Sequence, residues 1–303
     1  MKLLRSWTHS SQACIATIGN FDGLHLGHQS VIRQVQDKAS HLGLASTVIS
    51  FEPLPAEYLR KPPPSRILPL RDKLIYLKSL GVNQLACLPF NQALAEMEPE
   101  AFIQDILLND LQVRALVVGD DFRFGRKRRG DYQLLQTMGA QQGMEGGQTS
   151  TLLHTNDRVS STWVRQALAQ ADLDTVKTLL GRPYSLSGRV RHGNKLGRTI
   201  GFPTLNLRIP DNIALGKGVY AVKAYRASGA RFKGIANLGS RPTVNGLESR
   251  LEVHLFDFAE QIYGQHWTIE PTAFIRAEQR FDSFELLKQQ IKLDVEQARS
   301  LLH

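Results

Sequence analysis

The chain has 303 residues, 37 Lys plus Arg against 28 Asp plus Glu, a formal net charge of +9, two cysteines and 42% hydrophobic content. These figures exclude a small disulfide-stapled scaffold and a disordered tail. At roughly 100–200 residues per domain they imply two domains, each able to bury its own core. The cation excess favours an anionic partner, whether nucleic acid, acidic lipid or a phosphorylated small molecule.

The opening MKLLRSWTHSSQ holds no uninterrupted apolar stretch of signal-peptide length. No later segment approaches the ~18–20 apolar residues of a membrane span, so a cytoplasmic protein with no membrane contact is expected. CIATIG (14–19), STVISF (46–51), QLACLPF (84–90) and ALVVG (115–119) are apolar almost throughout. That is the pattern of strands covered on both faces. Cys14 and Cys87 lie in two of these runs and form no CxxC pair, which reads as buried thiols in a reducing compartment. Helix-period stretches alternate with the strands: SVIRQVQDKASHL from Ser30, RDKLIYLKSL from Arg71 and PEAFIQDILLNDL from Pro99. The alternation predicts an α/β doubly wound, Rossmann-like N-terminal domain, which binds ligands at the carboxyl ends of its strands. GAQQGMEGG (139–147) reads as a loop, and VSSTWVRQALAQADLDTVKTLLG (159–181) as one helical pattern. From Tyr184 the texture changes to short runs punctuated by Gly, Pro and Asn, predicting a small antiparallel β-barrel closed by a terminal helix, FELLKQQIKLDVEQARSLL. The division expected is 1–183 and 184–303. The first part has 20 basic and 17 acidic residues and the second 17 and 11, so neither is a dedicated polyanion arm.

Three segments of the first domain carry chemistry. GNFDGLHLGH (19–28) follows a strand and opens a helix, where glycines permit close backbone approach and the helix start offers N–H groups to phosphate. His25 and His28 are three apart, share a helical face and can stabilise charge developing on phosphorus. An ordinary turn that happens to hold two histidines is the bland alternative. In VVGDDFRFGRKRRGD (117–131), Asp120 and Asp121 stand at a strand end, where they can hold a ribose, a base amine or Mg²⁺. The RKRR run (126–129) is either a solvated loop or a guide for anionic substrates. In VSSTWVR (159–165), one serine suffices as a helix cap, but two hydroxyls, Thr162 and a same-face Arg165 also describe a triphosphate clamp.

GxFDGxHxGH, GDDFxFG and SSTxVR in this order resemble the N-terminal module of the bacterial bifunctional riboflavin kinase and FAD synthetase family, a nucleotidyltransferase of the HxGH kind. The resemblance implies attack of the FMN phosphate on the α-phosphorus of ATP with loss of pyrophosphate. Gly19, Phe21, Asp22 and Gly23 would then line the ATP phosphates, with His25 and His28 stabilising the reacting groups. Ser160, Ser161, Thr162 and Arg165 would hold the pyrophosphate portion, and Asp121, Phe122 and Phe124 would lie toward the flavin. Trp163 and the strongly basic loop depart from the common pattern.

In the second domain, HGNKLGRTIGFPTLNL (192–207) joins a Gly-rich basic loop to Thr204 and Asn206, hard oxygen donors suited to Mg²⁺. LEVHLFDF (251–258) alternates, with Glu252 and His254 on one side and Leu251, Val253 and Leu255 on the other. A glutamate turned inward is costly without a task, whereas on the solvent side it needs none. These segments, with GVYAV, IANLGSRPTVNG and IRxExxFxSxExLxxQIxxD, resemble the riboflavin kinase domain of the same family. That resemblance implies transfer of the ATP γ-phosphate to riboflavin, with Glu252 as general base and Thr204 and Asn206 on Mg²⁺. Lys195, Arg198 and Gly201 would lie at the phosphates, and Phe281 is a candidate to stack on the flavin. Leu205 replaces the small residue of the usual PTAN. Riboflavin, FMN and ATP are the partners implied, without nucleic acid or an obligate protein. The alternative is an RNA-binding or tRNA-related HxGH protein, motivated by the charge and the barrel, but it lacks a KMSKS-like lysine pair and an RNP-like aromatic run.

Overall fold

The computed structural model describes residues 1–5, 12–150, 152–155, 157–191, 204–243, 246–260 and 262–302. The chain forms two compact units, one of Met1–Pro64 with Lys73–Ser160 and one of Ser65–Asp72 with Ser161–His303. The change of sequence texture at 183/184 lies later than this division.

In the first unit the elements run β1 (Lys2–Leu4), β2 (Cys14–Ile18), α1 (Leu26–Leu42), β3 (Ala45–Glu52), α2 (Pro55–Leu59) and α3 (Leu70–Ser79, within this unit from Lys73). They continue with β4 (Gln84–Pro89), α4 (Gln92–Glu96), α5 (Pro99–Ala101, running into a π-helical stretch Phe102–Asp110), β5 (Val113–Gly119), α6 (Tyr132–Gln141) and β6 (Glu145–Thr149). A short hairpin, β7 (Leu153–His154) and β8 (Asp157–Arg158), follows. Six strands form one parallel sheet in the order β1-β4-β3-β2-β5-β6. Every residue of β2 is buried, as its unbroken apolar run requires. Both cysteines are buried and form no disulfide, and burial pushes the Cys14 thiol up. From β2 the chain winds through β3 to β4 on one side and resumes at β5 on the other. The order therefore reverses between β2 and β5, and ligand crevices of open α/β sheets form outside the carboxyl ends of such a pair. GNFDG follows β2, and the DDF that begins at Asp120 follows β5.

The stretch expected as a loop at 139–147 is instead the end of α6, a tight turn, and the edge strand β6. Its glycines differ in role: a Cβ on Gly139 would meet the Met144 side chain at 2.9 Å, Gly143 turns left-handed at φ 72°, and the Tyr132 hydroxyl donates to the Gly146 carbonyl at 3.1 Å. The single helical pattern at 159–181 is likewise two helices, α7 (Ser161–Ala169) and α8 (Leu173–Leu180). Ala171 turns left-handed at φ 56°, and the Asp172 side chain caps α8 by accepting from Thr175 N–H at 3.0 Å.

The second unit continues with β9 (Leu186–Arg191), β10 (Leu205–Arg208), β11 (Gly218–Arg226), β12 (Arg231–Thr243), β13 (Gly246–Leu255), β14 (His266–Arg276) and α9 (Phe284–Leu301). The strands close an antiparallel barrel in the order β10-β13-β12-β11-β14-β9, with β9 pairing back to β10. Closure leaves no exposed sheet edge. α9 is fastened to the barrel by a buried ion pair: Arg276 Nε and Nη2 grip Asp294 at 2.7–3.0 Å, and Gln290 adds a bond at 2.8 Å. Removing one partner of a buried pair strands the other charge, so Asp294→Ala is expected to cost about 3–5 kcal/mol, measured by urea unfolding.

Candidate functional site

The first cluster is built at the end of β2. Gly19 N–H bonds to Ile49 O at 3.0 Å, keeping the chain on the sheet before it turns. Phe21 (φ 46°), Gly23 (φ 88°) and Leu24 (φ 48°) are all left-handed. Two non-glycine residues in that region cost free energy, and burial of the Phe21, Asp22 and Leu24 side chains holds them there. The turn delivers His25 as the N-cap of α1, its Nδ1 accepting from His28 N–H at 3.4 Å. With Nδ1 an acceptor, the ring proton sits on Nε2, which is then a donor. The His25 and His28 rings stack at 3.7 Å and 21°, and Phe21 lies 5.0 Å from His28. A Cβ on Gly27 would stand 3.1 Å from the His25 ring, so the glycine between the histidines is what admits the stack. Two imidazoles at a helix start, beside backbone N–H groups that no preceding turn satisfies, make an anion-stabilising corner.

Beyond β5, Asp121 is held by Arg158 of β8 at 2.9 Å, with Asp120 at 3.7 Å. The pair is largely solvent-exposed, and hydrogen bonding to Asp121 raises the Arg158 pKa. An exposed pair of this kind is weak and exchangeable. Phe122 and Phe124 stack at 5.1 Å, but they are not equivalent. Phe124 is buried in the core against Phe102, with reciprocal 3.0 Å backbone bonds to Gly130. Of the two rings expected toward a flavin, Phe122 alone is only partly buried. The basic run forms a tight turn, and Glu98 pairs with both Arg126 (3.2 Å) and Arg129 (2.7 Å). Ser160 ends the first unit. Ser161, Thr162 and Arg165 lie on α7 in the second, where Arg165 Nε donates to Ser65 O at 2.7 Å.

The second cluster lies on the barrel. Leu251, Val253 and Leu255 are fully buried, so the barrel interior is their face and Glu252 is on the outer face, half-buried. Register sets Asn206 of β10 opposite Glu252 of β13, and Glu252 opposite Asn237 of β12. Directly opposed residues share a sheet face, so Asn206, Glu252 and Asn237 form one polar row. Asn206 is buried, and its Oδ1 has no hydrogen-bond partner. Leu205, one residue earlier, turns away into the interior with Val253. Among the described residues, no group of three or more His, Cys, Asp or Glu could hold a metal ion. The donor set that fits a hard cation is neutral oxygen, the orphaned Asn206 Oδ1 and the Thr204 hydroxyl, with one carboxylate alongside. Lys195, Arg198 and Gly201 lie outside the described residues.

A cavity of about 310 Å³ opens in the same unit, lined among others by Thr204, Leu205, Val253, Phe258 and Tyr263. Arg226 braces its wall through Phe258 and Glu260. Arg226 lies 5.1–5.3 Å from the rings of Phe232, Phe258 and Trp267 and pairs with Glu260 at 2.6 Å. Arg299 of α9 covers Phe256 at 4.4 Å and holds the Asp257 carboxyl below the usual range. Phe281, expected at a flavin, lies 5.7 Å from the Arg276 guanidinium. Reading the sequence missed Gly27, Arg158 and the buried Lys73. The last had a signal, since a lysine four residues before Leu77 shares that residue's apolar helix face.

Residues 8–163 match the family model described as FAD synthetase, and residues 180–302 the model described as riboflavin kinase. The chain is 46% identical to the bifunctional riboflavin kinase/FMN adenylyltransferase of Haemophilus influenzae, with all of both chains covered. It is 44% identical to the protein of that name in Escherichia coli, over 99% of this chain and 97% of that one. A solved Streptococcus pneumoniae structure, described as a macrolide-efflux protein, aligns over 99% of each chain with a TM-score of 0.81 and 28% identity. That description carries no activity to this chain, in which no described helix is long and apolar enough to cross a membrane.

Proposed function

The chain belongs to the bifunctional riboflavin kinase/FMN adenylyltransferase family, and from that premise we propose which of its residues perform each reaction. It phosphorylates riboflavin with ATP to FMN and adenylylates FMN with ATP to FAD.

Phosphorylation is assigned to residues 184–303. Glu252 accepts the proton of the terminal ribityl hydroxyl as that oxygen bonds to the γ-phosphorus and ADP leaves. The observation that supports this is strand register: Glu252 stands opposite Asn206, whose buried Oδ1 has no hydrogen-bond partner. Thr204 and Asn206 would hold Mg²⁺, which when bound neutralises phosphate charge. Adenylylation is assigned to residues 1–183. An FMN phosphate oxygen attacks the α-phosphorus of ATP and pyrophosphate leaves, while His25 Nε2–H and His28 donate to the phosphate oxygens. Gly19, Phe21, Asp22 and Gly23 shape the phosphate loop. Ser160, Ser161, Thr162 and Arg165 act on the pyrophosphate portion, and Asp121 and Phe122 act toward the flavin. Lys195, Arg198 and Gly201 act on the kinase phosphates. Two buried thiols outside any disulfide and dependence on ATP support a cytoplasmic place. Glu98 offsets part of the charge of the basic turn through Arg126 and Arg129.

The metal assignment has its own test. Chelation should stop FMN formation and added Mg²⁺ restore it, and Asn206→Ala should raise the Mg²⁺ needed for half-maximal rate on the order of tenfold. An unchanged Mg²⁺ dependence in that variant would remove Asn206 from the metal site.

A further inference from the structure

Beneath the GNFDG turn lies a buried cation. Lys73 of α3 is 2% exposed, and its ammonium donates to Asn20 O at 2.8 Å and to Ser50 Oγ at 3.2 Å. Ser50 Oγ in turn donates to the same Asn20 carbonyl at 3.2 Å. Asn20 follows β2, and Ser50 lies near the end of β3, so the ammonium bridges the carboxyl ends of adjacent parallel strands. Burying an ammonium is costly, and a methionine of similar length would fill the same space without that cost. What methionine cannot do is bind a carbonyl. The carbonyl it holds belongs to the residue immediately before Phe21, where the left-handed run through Gly23 and Leu24 begins. That run ends at His25, whose position sets the stack with His28.

We propose that Lys73 is a positioning residue for adenylyl transfer: its buried ammonium pins the Asn20 carbonyl and so fixes the strained turn that aims His25 and His28. This rests on the assignment of adenylyl transfer to those histidines. Small misplacements of reacting groups are costly in rate, so Lys73→Met should lower kcat for FAD formation about 100-fold. KM for FMN and ATP should stay within about twofold, because binding contacts common to ground and transition states are kept. FMN formation from riboflavin should be unchanged.

Steady-state kinetics of Lys73→Met beside His28→Ala, with rates expressed per folded molecule, separates the outcomes. A folded Lys73→Met with kcat within about threefold of the parent would overturn the proposal, as would a rate loss that merely tracks the unfolded fraction. If Lys73→Met does not fold, Lys73→Gln is measured by the same criteria. Should neither fold, Lys73 serves stability and the positioning role is wrong. Full FAD synthesis by His28→Ala would instead overturn the histidine assignment beneath it.

Discussion

Glu252→Gln is expected to lower kcat for riboflavin phosphorylation about 10²–10⁴-fold, the usual worth of a general base, and to leave conversion of FMN to FAD unchanged. The amide keeps the length and shape of the side chain, so the row with Asn206 and Asn237 persists and the barrel stays folded. What disappears is the one group in that row able to take a proton. The attacking ribityl hydroxyl must then lose its proton to water while the phosphoryl group transfers. The loss should lie in kcat more than in KM, because the proton moves only on the way to the transition state. Since phosphoryl transfer draws most of its acceleration from positioning and charge neutralisation, a residual rate should remain. Quenched-reaction chromatography of FMN, with FMN-to-FAD conversion assayed in the same preparation, measures both halves of the expectation.

His28→Ala should do the reverse. Loss of one preorganised donor at a developing charge costs about 10²–10³-fold, so FAD formation from FMN should fall by that factor while FMN formation continues. The His28 ring also packs between His25 and Phe21, which makes His28→Asn the better-matched companion, since it retains a donor and part of the bulk. If His28 acted only by packing, the two variants would lose activity in proportion to their loss of stability. If it donates to phosphate, asparagine should recover part of the rate at equal stability. His25 is the stricter position, because its ring is both cap of α1 and stacking partner.

How much of this was legible in the sequence follows from how each element is buried. β2, β3, β4 and β5 could be read because a parallel strand covered on both faces is a continuous apolar run. β1 has three residues, and β6 is an edge strand holding two glycines, so neither produces that run. The break between α7 and α8 is written in Asp172, a capping residue inside an otherwise continuous helical period. Alternation placed Glu252 opposite Leu251 and Val253 but could not say which face was the interior. Barrel closure decides that, and it puts the glutamate outside. The pairing of Asn206 with Glu252 joins residues 46 apart in the chain through strand register, which no local pattern encodes. Phe124 and Phe122 look alike in sequence, yet only the fold commits Phe124 to the core. The same holds for the basic turn, whose partner Glu98 comes from a different element.

The assignment of two reaction centres to one chain, one at the histidine stack and one at the Asn206 and Glu252 row, requires that either activity can be lost alone. Its most direct test is a paired assay of Glu252→Gln and His28→Ala, each given riboflavin with ATP and, separately, FMN with ATP. The glutamate variant should make FAD from FMN but little FMN from riboflavin, and the histidine variant should accumulate FMN without FAD. Folded variants that each lose both activities together would contradict it.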